Sequence, residues 1–216
     1  MSLLDLLATR KTDRDPRPPR PAAPAAADPV FSTKALRKFV STLARREPPV
    51  LLDLGPVVGE NVSYFGERLG CKIFVEDIFT DLDRHVRAGN QNAFPEFLAG
   101  RLTQEPGTVH GVLCWDLLDH LDRPAARVLA TEVTRVLGSE GALLAFFSTA
   151  ASRDARYTKY IIVDDTNLRH RSYPAARTRQ VNMPNRDILR LFPGLHVSDS
   201  FLLQNSTREI LFRKPL

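Results

Sequence analysis

"VLLDLGPVVGEN", residues 50–61, decides how the rest of this chain is read. The run 50–54 is short, apolar and broken only by Asp53, the pattern of a strand buried on both faces. Gly55 and Gly59 bracket the turn that follows. The next residues, "ENVSYFGERLG" (60–70), place Val62, Phe65 and Leu69 at helical spacing, with Gly70 as the stop. A strand that ends in a glycine turn and feeds a helix presents backbone N–H groups at the carboxyl edge of a sheet.

The same alternation continues on both sides. Upstream, Leu36, Phe39, Val40 and Leu43 recur every three or four residues behind Ser32 or Thr33, which predicts a capped helix ending before Pro48-Pro49. Downstream, "CKIFVED" (71–77) reads as a second strand, followed by a helix over about 80–88. Residues 89–109 are irregular, with a short strand expected at 96–99. "HGVLCWDLL" (110–118) and "GALLAFFS" (141–148) are further buried strands. They flank a helix started by Asp122 and Pro124 with Ala125, Val128, Leu129, Val133 and Val136 on one stripe. Continuous apolar strands alternating with helices imply a parallel sheet covered on both faces. After residue 150 the pattern changes. Residues 157–173 read as a hairpin around 164–167, 185–192 as a short helix, and "LHVSDSFLL" and "REILFRK" as a closing antiparallel pair.

Composition bounds the rest. With 216 residues, 43% hydrophobic and 25% charged, the chain has the make-up of a globular protein with one full core. No run reaches the ~18–20 apolar residues that span a bilayer, and "MSLLDLLATRKTDR" is a poor secretory signal, so no membrane partner and a cytoplasmic location are expected. Cys71 and Cys114 lie in strand-like runs and read as reduced, buried thiols. Residues 1–29 are Pro- and Ala-rich and read as a disordered tail, leaving a folded domain over 30–216. The tip of that tail, with Leu3, Leu4, Leu6 and Leu7, reads either as a frayed terminus or as a docking peptide within residues 1–10 for a protein partner. The net charge of +5 is concentrated in 153–190, which holds nine basic and four acidic residues. Its basic hairpin, at about 153–183, is either a lid over an acidic acceptor or the interface of a homodimer. Nucleic acid is the weaker alternative.

Taken together, these elements resemble a class I S-adenosylmethionine-dependent methyltransferase over about 31–214. "LDLGPVVG" sits where that family has its D/E-x-G-x-G-x-G loop, and Glu76 or Asp77 ends the second strand. "VLCWDLLDHLDRP" (112–124) matches its fourth-strand segment, "VLGSEGALLAFF" its fifth, and "REILFRK" its last strand. The resemblance implies a Rossmann-like α/β fold, with a mostly parallel seven-stranded sheet, helices on both faces and a C-terminal antiparallel pair. It implies S-adenosylmethionine as cofactor, methyl transfer to an unidentified acceptor, and cofactor residues Asp53, Gly55, Gly59 and Glu76, with Asp77 as the less favoured ribose acid. Three positions depart from the pattern. Val57 stands where the middle glycine belongs. Arg101 stands in "LAGRL", where the family often has an acid for the adenine. Val109-His110 replaces the usual Phe-Asp.

Methyl transfer is an in-line displacement that needs alignment more than elaborate catalytic groups. Asp116, at the end of the fourth strand, is the candidate for positioning the acceptor, and His120 the candidate general base. Asp119 and Asp122 lie nearby, but their spacing is irregular and no other His or Cys accompanies them, so no metal is assigned. Trp115 reads as a core residue, with stacking on adenine or an aromatic acceptor as its other reading. The alternative to an enzyme is a non-catalytic scaffold of the same fold, binding a protein partner through its tail and basic hairpin. Val57 and Arg101 are the features that favour it.

Overall fold

The computed structural model describes residues 27–150, 155–177 and 183–216; the tail and its leucine tip lie outside them. In chain order the elements are β1 (Val30–Ser32), α1 (Leu36–Leu43), β2 (Val50–Asp53), α2 (Gly59–Leu69), β3 (Lys72–Val75), α3 (Ile78–Arg87), α4 (Phe94–Ala99), β4 (Val109–Trp115), α5 (Arg123–Val136), β5 (Leu137–Ser148), β6 (Arg156–Asp164), β7 (Asn167–Pro174), α6 (Asn185–Leu189), β8 (His196–Leu202) and β9 (Thr207–Arg213). The main sheet has the order β3-β2-β4-β5-β9-β8. Its first four strands are parallel, and β9 and β8 close it antiparallel. One face is packed by α1, Phe65 of α2 and apolar residues of β6 and β7; the other is packed by α3, α4 and α5. This is the expected Rossmann-like α/β architecture.

The expected seventh strand is not there. Residues 96–99 belong to α4, which a 3-10 turn at Gln91–Ala93 introduces. Phe94 and Leu98, four residues apart, are both buried on one side of it, and Pro95 sits in its first turn, where no N–H is missed. The sheet therefore has six strands among the described residues, and β3 is its outer edge. A neighbouring strand would have brought its own carboxyl end beside that of β3; the loop after α4 takes that place.

Two further differences concern helix α2 and the hairpin. Val62, expected inward, is 40% exposed, while Asn61 is 3% exposed. The hairpin explains the exchange. The Asn61 carboxamide donates to the Tyr160 carbonyl (2.8 Å) and accepts from the Ile162 N–H (2.8 Å), so α2 turns its polar first turn towards β6. The hairpin also gains a strand that the sequence did not reveal. Val30–Ser32 pairs antiparallel with β7 to make a separate sheet of order β1-β7-β6. Among the described residues no helix is long and apolar enough to cross a membrane, and Cys71 and Cys114 are free thiols.

Candidate cofactor site at the carboxyl edge of the sheet

Strands β2, β3 and β4 end side by side, and most of the residues singled out from the sequence meet there. Asp53 closes β2 and is 4% exposed. Its Oδ1 accepts from the Gly55 N–H at 2.9 Å and from the Trp115 indole N–H at 2.7 Å. Burial pushes its carboxyl up to about 6, against the lowering effect of those two donors. Trp115 ends β4 with φ +48°, a left-handed conformation rare for a bulky residue. That backbone aims the ring across the turn. A Cβ on Gly55 would lie 2.6 Å from Trp115 Cδ1 and 2.9 Å from Nε1. Gly55 is thus required by a close approach, but the group approaching is the protein's own indole. Gly59 opens α2 with nothing within 4 Å of where its Cβ would be, and Val57 is 60% exposed.

The other face of the Trp115 region is closed by the hairpin. Tyr160 lies parallel to the indole, with ring centroids 5.3 Å apart and planes 6° apart, and Phe146 meets both edge-on. The hairpin runs from α2 to α3. Tyr64 donates to Asp165 at 2.8 Å and Arg68 pairs with the same carboxylate, while Tyr157 stacks on Phe79 at 5.4 Å. The hairpin is therefore packed across the carboxyl edge of its own domain.

Glu76 and Asp77 take different roles. Asp77 caps α3, accepting from the Thr80 N–H and hydroxyl at 3.1 and 2.8 Å. Glu76, the favoured ribose acid, already holds donors on both oxygens: Arg101 on Oε2 and the Gln104 amide on Oε1 at 2.8 Å. Arg101 also donates to the Glu76 carbonyl at 2.9 Å and to Asp81 at 2.8 Å. So Arg101, which stands where the resemblance places an adenine-binding acid, folds back onto the residue expected to hold the ribose. Asp116 and His120 lie deeper, 1% and 2% exposed, with His120 Nε2 3.8 Å from Asp116 Oδ2. Asp119 accepts from the Ser148 N–H at 2.7 Å, and Asp122 caps α5 through the Ala125 N–H at 2.9 Å. His110, in the third departure, accepts the Val50 N–H at 3.0 Å and ties β4 to the start of β2.

Gln104 and Asn61 were not anticipated as site residues. Arg101 and Trp115 had been marked, but not that they would bond Glu76 and Asp53. These contacts occupy positions that S-adenosylmethionine would use. A ribose diol would share the Glu76 carboxylate with Arg101 and Gln104, which take two of its roughly four acceptor positions, and a methionyl group would compete with the indole for the space over Gly55.

No family model matches the sequence, and neither does any curated protein. Solved structures do. A TehB-like S-adenosylmethionine-dependent methyltransferase from Corynebacterium glutamicum aligns with TM-score 0.50 at 14% identity, over 84% of this chain and 88% of its own. The 1,6-didemethyltoxoflavin N1-methyltransferase of Burkholderia thailandensis, solved with S-adenosylhomocysteine, gives 0.48 at 17% identity, over 84% and 79%. A geranyl diphosphate methyltransferase in complex with GPP and sinefungin gives 0.49 at 12%, over 84% and 77%. These neighbours are S-adenosylmethionine-type methyltransferases. At such identities the likeness is one of fold: this chain has the class I methyltransferase fold.

Proposed function

We propose that this protein is a non-catalytic scaffold on the methyltransferase fold, and that it acts by binding a protein partner. One observation supports the reading: the carboxylate that would hold the cofactor ribose already accepts from Arg101 and Gln104, one donor on each oxygen. Displacing both donors would weigh against cofactor binding. Hydrogen bonds to charged groups are worth about 1.5–3 kcal/mol each, and neutral hydroxyls do not replace them in full. Two such losses reach the ~4 kcal/mol that separates micromolar from millimolar affinity. Moving the Trp115 indole off Gly55 adds to that figure. Free Cys71 and Cys114 support a reducing, cytoplasmic setting.

Methyl transfer is the second reading, because Asp53, Gly55, Gly59 and Glu76 stand in the family's order at the ends of β2 and β3, with Asp116 and His120 behind β4. On that reading Asp53 and Glu76 would hold the cofactor once Arg101 had swung away. Calorimetric titration with S-adenosylmethionine and S-adenosylhomocysteine separates the two. No binding up to millimolar ligand is expected; micromolar binding by the wild type overturns the non-catalytic reading.

A further inference from the structure

A groove at the start of α5 carries positive charge that ion pairs within the chain only partly neutralise. It lies between the start of α5 and the start of α6, with a volume of about 400 Å³. Four arginines rim it: Arg123 and Arg127 from α5, Arg186 and Arg190 from α6 and its end. One acid opposes them. Asp187 lies 3.4 Å from Arg123 and 3.5 Å from Arg186. Among the described residues Arg127 and Arg190 form no ion pair. The Asp122 carboxylate caps α5, so one acid offsets the positive end of the helix beside which Arg123 stands. Cations at that end of a helix are unfavourable by about 0.3–1 kcal/mol each.

The floor of the groove is apolar, formed by Ala126, Met183 and Leu191. Leu189, on the same short helix, is 44% exposed. Among the described residues no aromatic side chain lines it, so they offer no stacking platform for bases. A floor that wants aliphatic groups and a rim that wants carboxylates describe one kind of occupant.

We propose that this groove docks an acidic peptide segment of a partner protein, with aliphatic side chains against Met183 and Leu191 and carboxylates on Arg127 and Arg190. The proposal names the partner class for the binding role above and rests on that role. The groove does not share residues with the cofactor site.

The test uses the full chain as bait for a random 12-residue peptide phage library, followed by fluorescence anisotropy with the enriched peptides. Enriched sequences should combine Asp or Glu with Leu, Ile or Val. Their affinity should fall at least tenfold in Arg127→Glu/Arg190→Glu, whose melting temperature should match the wild type because both positions are exposed, and should weaken as salt rises. No enrichment, or peptides that bind the double variant equally well, overturns the proposal. So does tighter binding of a labelled single-stranded oligonucleotide that the same variant abolishes, which would assign the groove to nucleic acid. Either failure leaves the absence of cofactor binding, measured separately, standing; cofactor binding by the wild type would overturn the scaffold reading without touching the peptide result.

Discussion

Replacing Arg101 by alanine tests the closing of the site at its most connected point. The side chain is about a quarter exposed, and its partners Glu76 and Asp81 are more buried still, at 15% and 11%. Removing one partner of a fully buried pair costs about 3–5 kcal/mol, and of an exposed pair about 0–1 kcal/mol. This cluster lies between those limits, so Arg101→Ala should destabilise by about 2–4 kcal/mol. At roughly 2–4 °C per kcal/mol for a domain of this size, the melting temperature should fall by about 4–16 °C. A double-mutant cycle isolates the pair. Glu76→Gln leaves Arg101 facing a neutral amide, and the combined variant should be less destabilised than the two single changes added together. Urea unfolding of all four proteins, followed by circular dichroism, should give a coupling above about 1 kcal/mol. Additivity within about 0.5 kcal/mol, or a melting temperature for Arg101→Ala within a degree of the wild type, would refute the reasoning. The site would then be open to ligand at little energetic expense.

Three further outcomes follow from neighbouring contacts. Asn61→Ala strands the Tyr160 carbonyl and the Ile162 N–H in a buried place, so it should lower stability by about 2–4 kcal/mol in denaturant unfolding and raise protease sensitivity in 156–174. Gly55→Ala places a methyl 2.6 Å from the Trp115 ring, so it should lower stability by about 1–3 kcal/mol and shift tryptophan fluorescence; a neutral result would show the indole free to move. Asp53 has a folded-state value of about 6 against 3.8 for the unfolded chain, so the folded state binds the proton more tightly. Stability from this group is therefore present below about pH 4 and lost as pH rises through about 6. Asp53→Asn should accordingly gain on the wild type between pH 4.5 and 7.5, by on the order of 2–3 kcal/mol for a fully buried group; a constant difference across that range would exclude the assignment.

The order of strands and helices was legible because it rests on local periodicity. The runs 50–54, 71–77, 110–118 and 141–148 each carry their apolar pattern within a few residues, and Gly70 and Asp122 mark helix ends that the structure keeps. The 96–99 segment was misread because four residues cannot separate a strand from one turn of helix; Phe94 and Leu98 decide it only once both are seen buried on one side. Val62 failed for a different reason. Helical spacing says which residues share a face, but not that a hairpin 99 positions away would claim Asn61 on the opposite one.

The condition of the site was not legible at all, since every contact that closes it joins distant parts of the chain. Arg101 meets Glu76 across 25 residues and Trp115 meets Asp53 across 62. From sequence, Arg101 and Val57 look like simple losses: an acid gone, a glycine gone. A site that had only lost its ligand contacts would leave Asp53 and Glu76 buried without donors, and buried unpaired carboxylates are costly enough to be replaced or flooded with water. The structure has the opposite character. Each acid has acquired protein donors, the space over Gly55 holds a stacked indole, and α2 is tied to the hairpin through both ends of one carboxamide. The three closing groups come from three different places: the loop that replaces a strand, the end of β4, and β6. Three independent losses would not converge on the same acids and the same turn. On the reading proposed above the site has been rebuilt as part of the core, and a partner is to be sought on surfaces such as the α5–α6 groove, where Arg127 and Arg190 form no ion pair among the described residues.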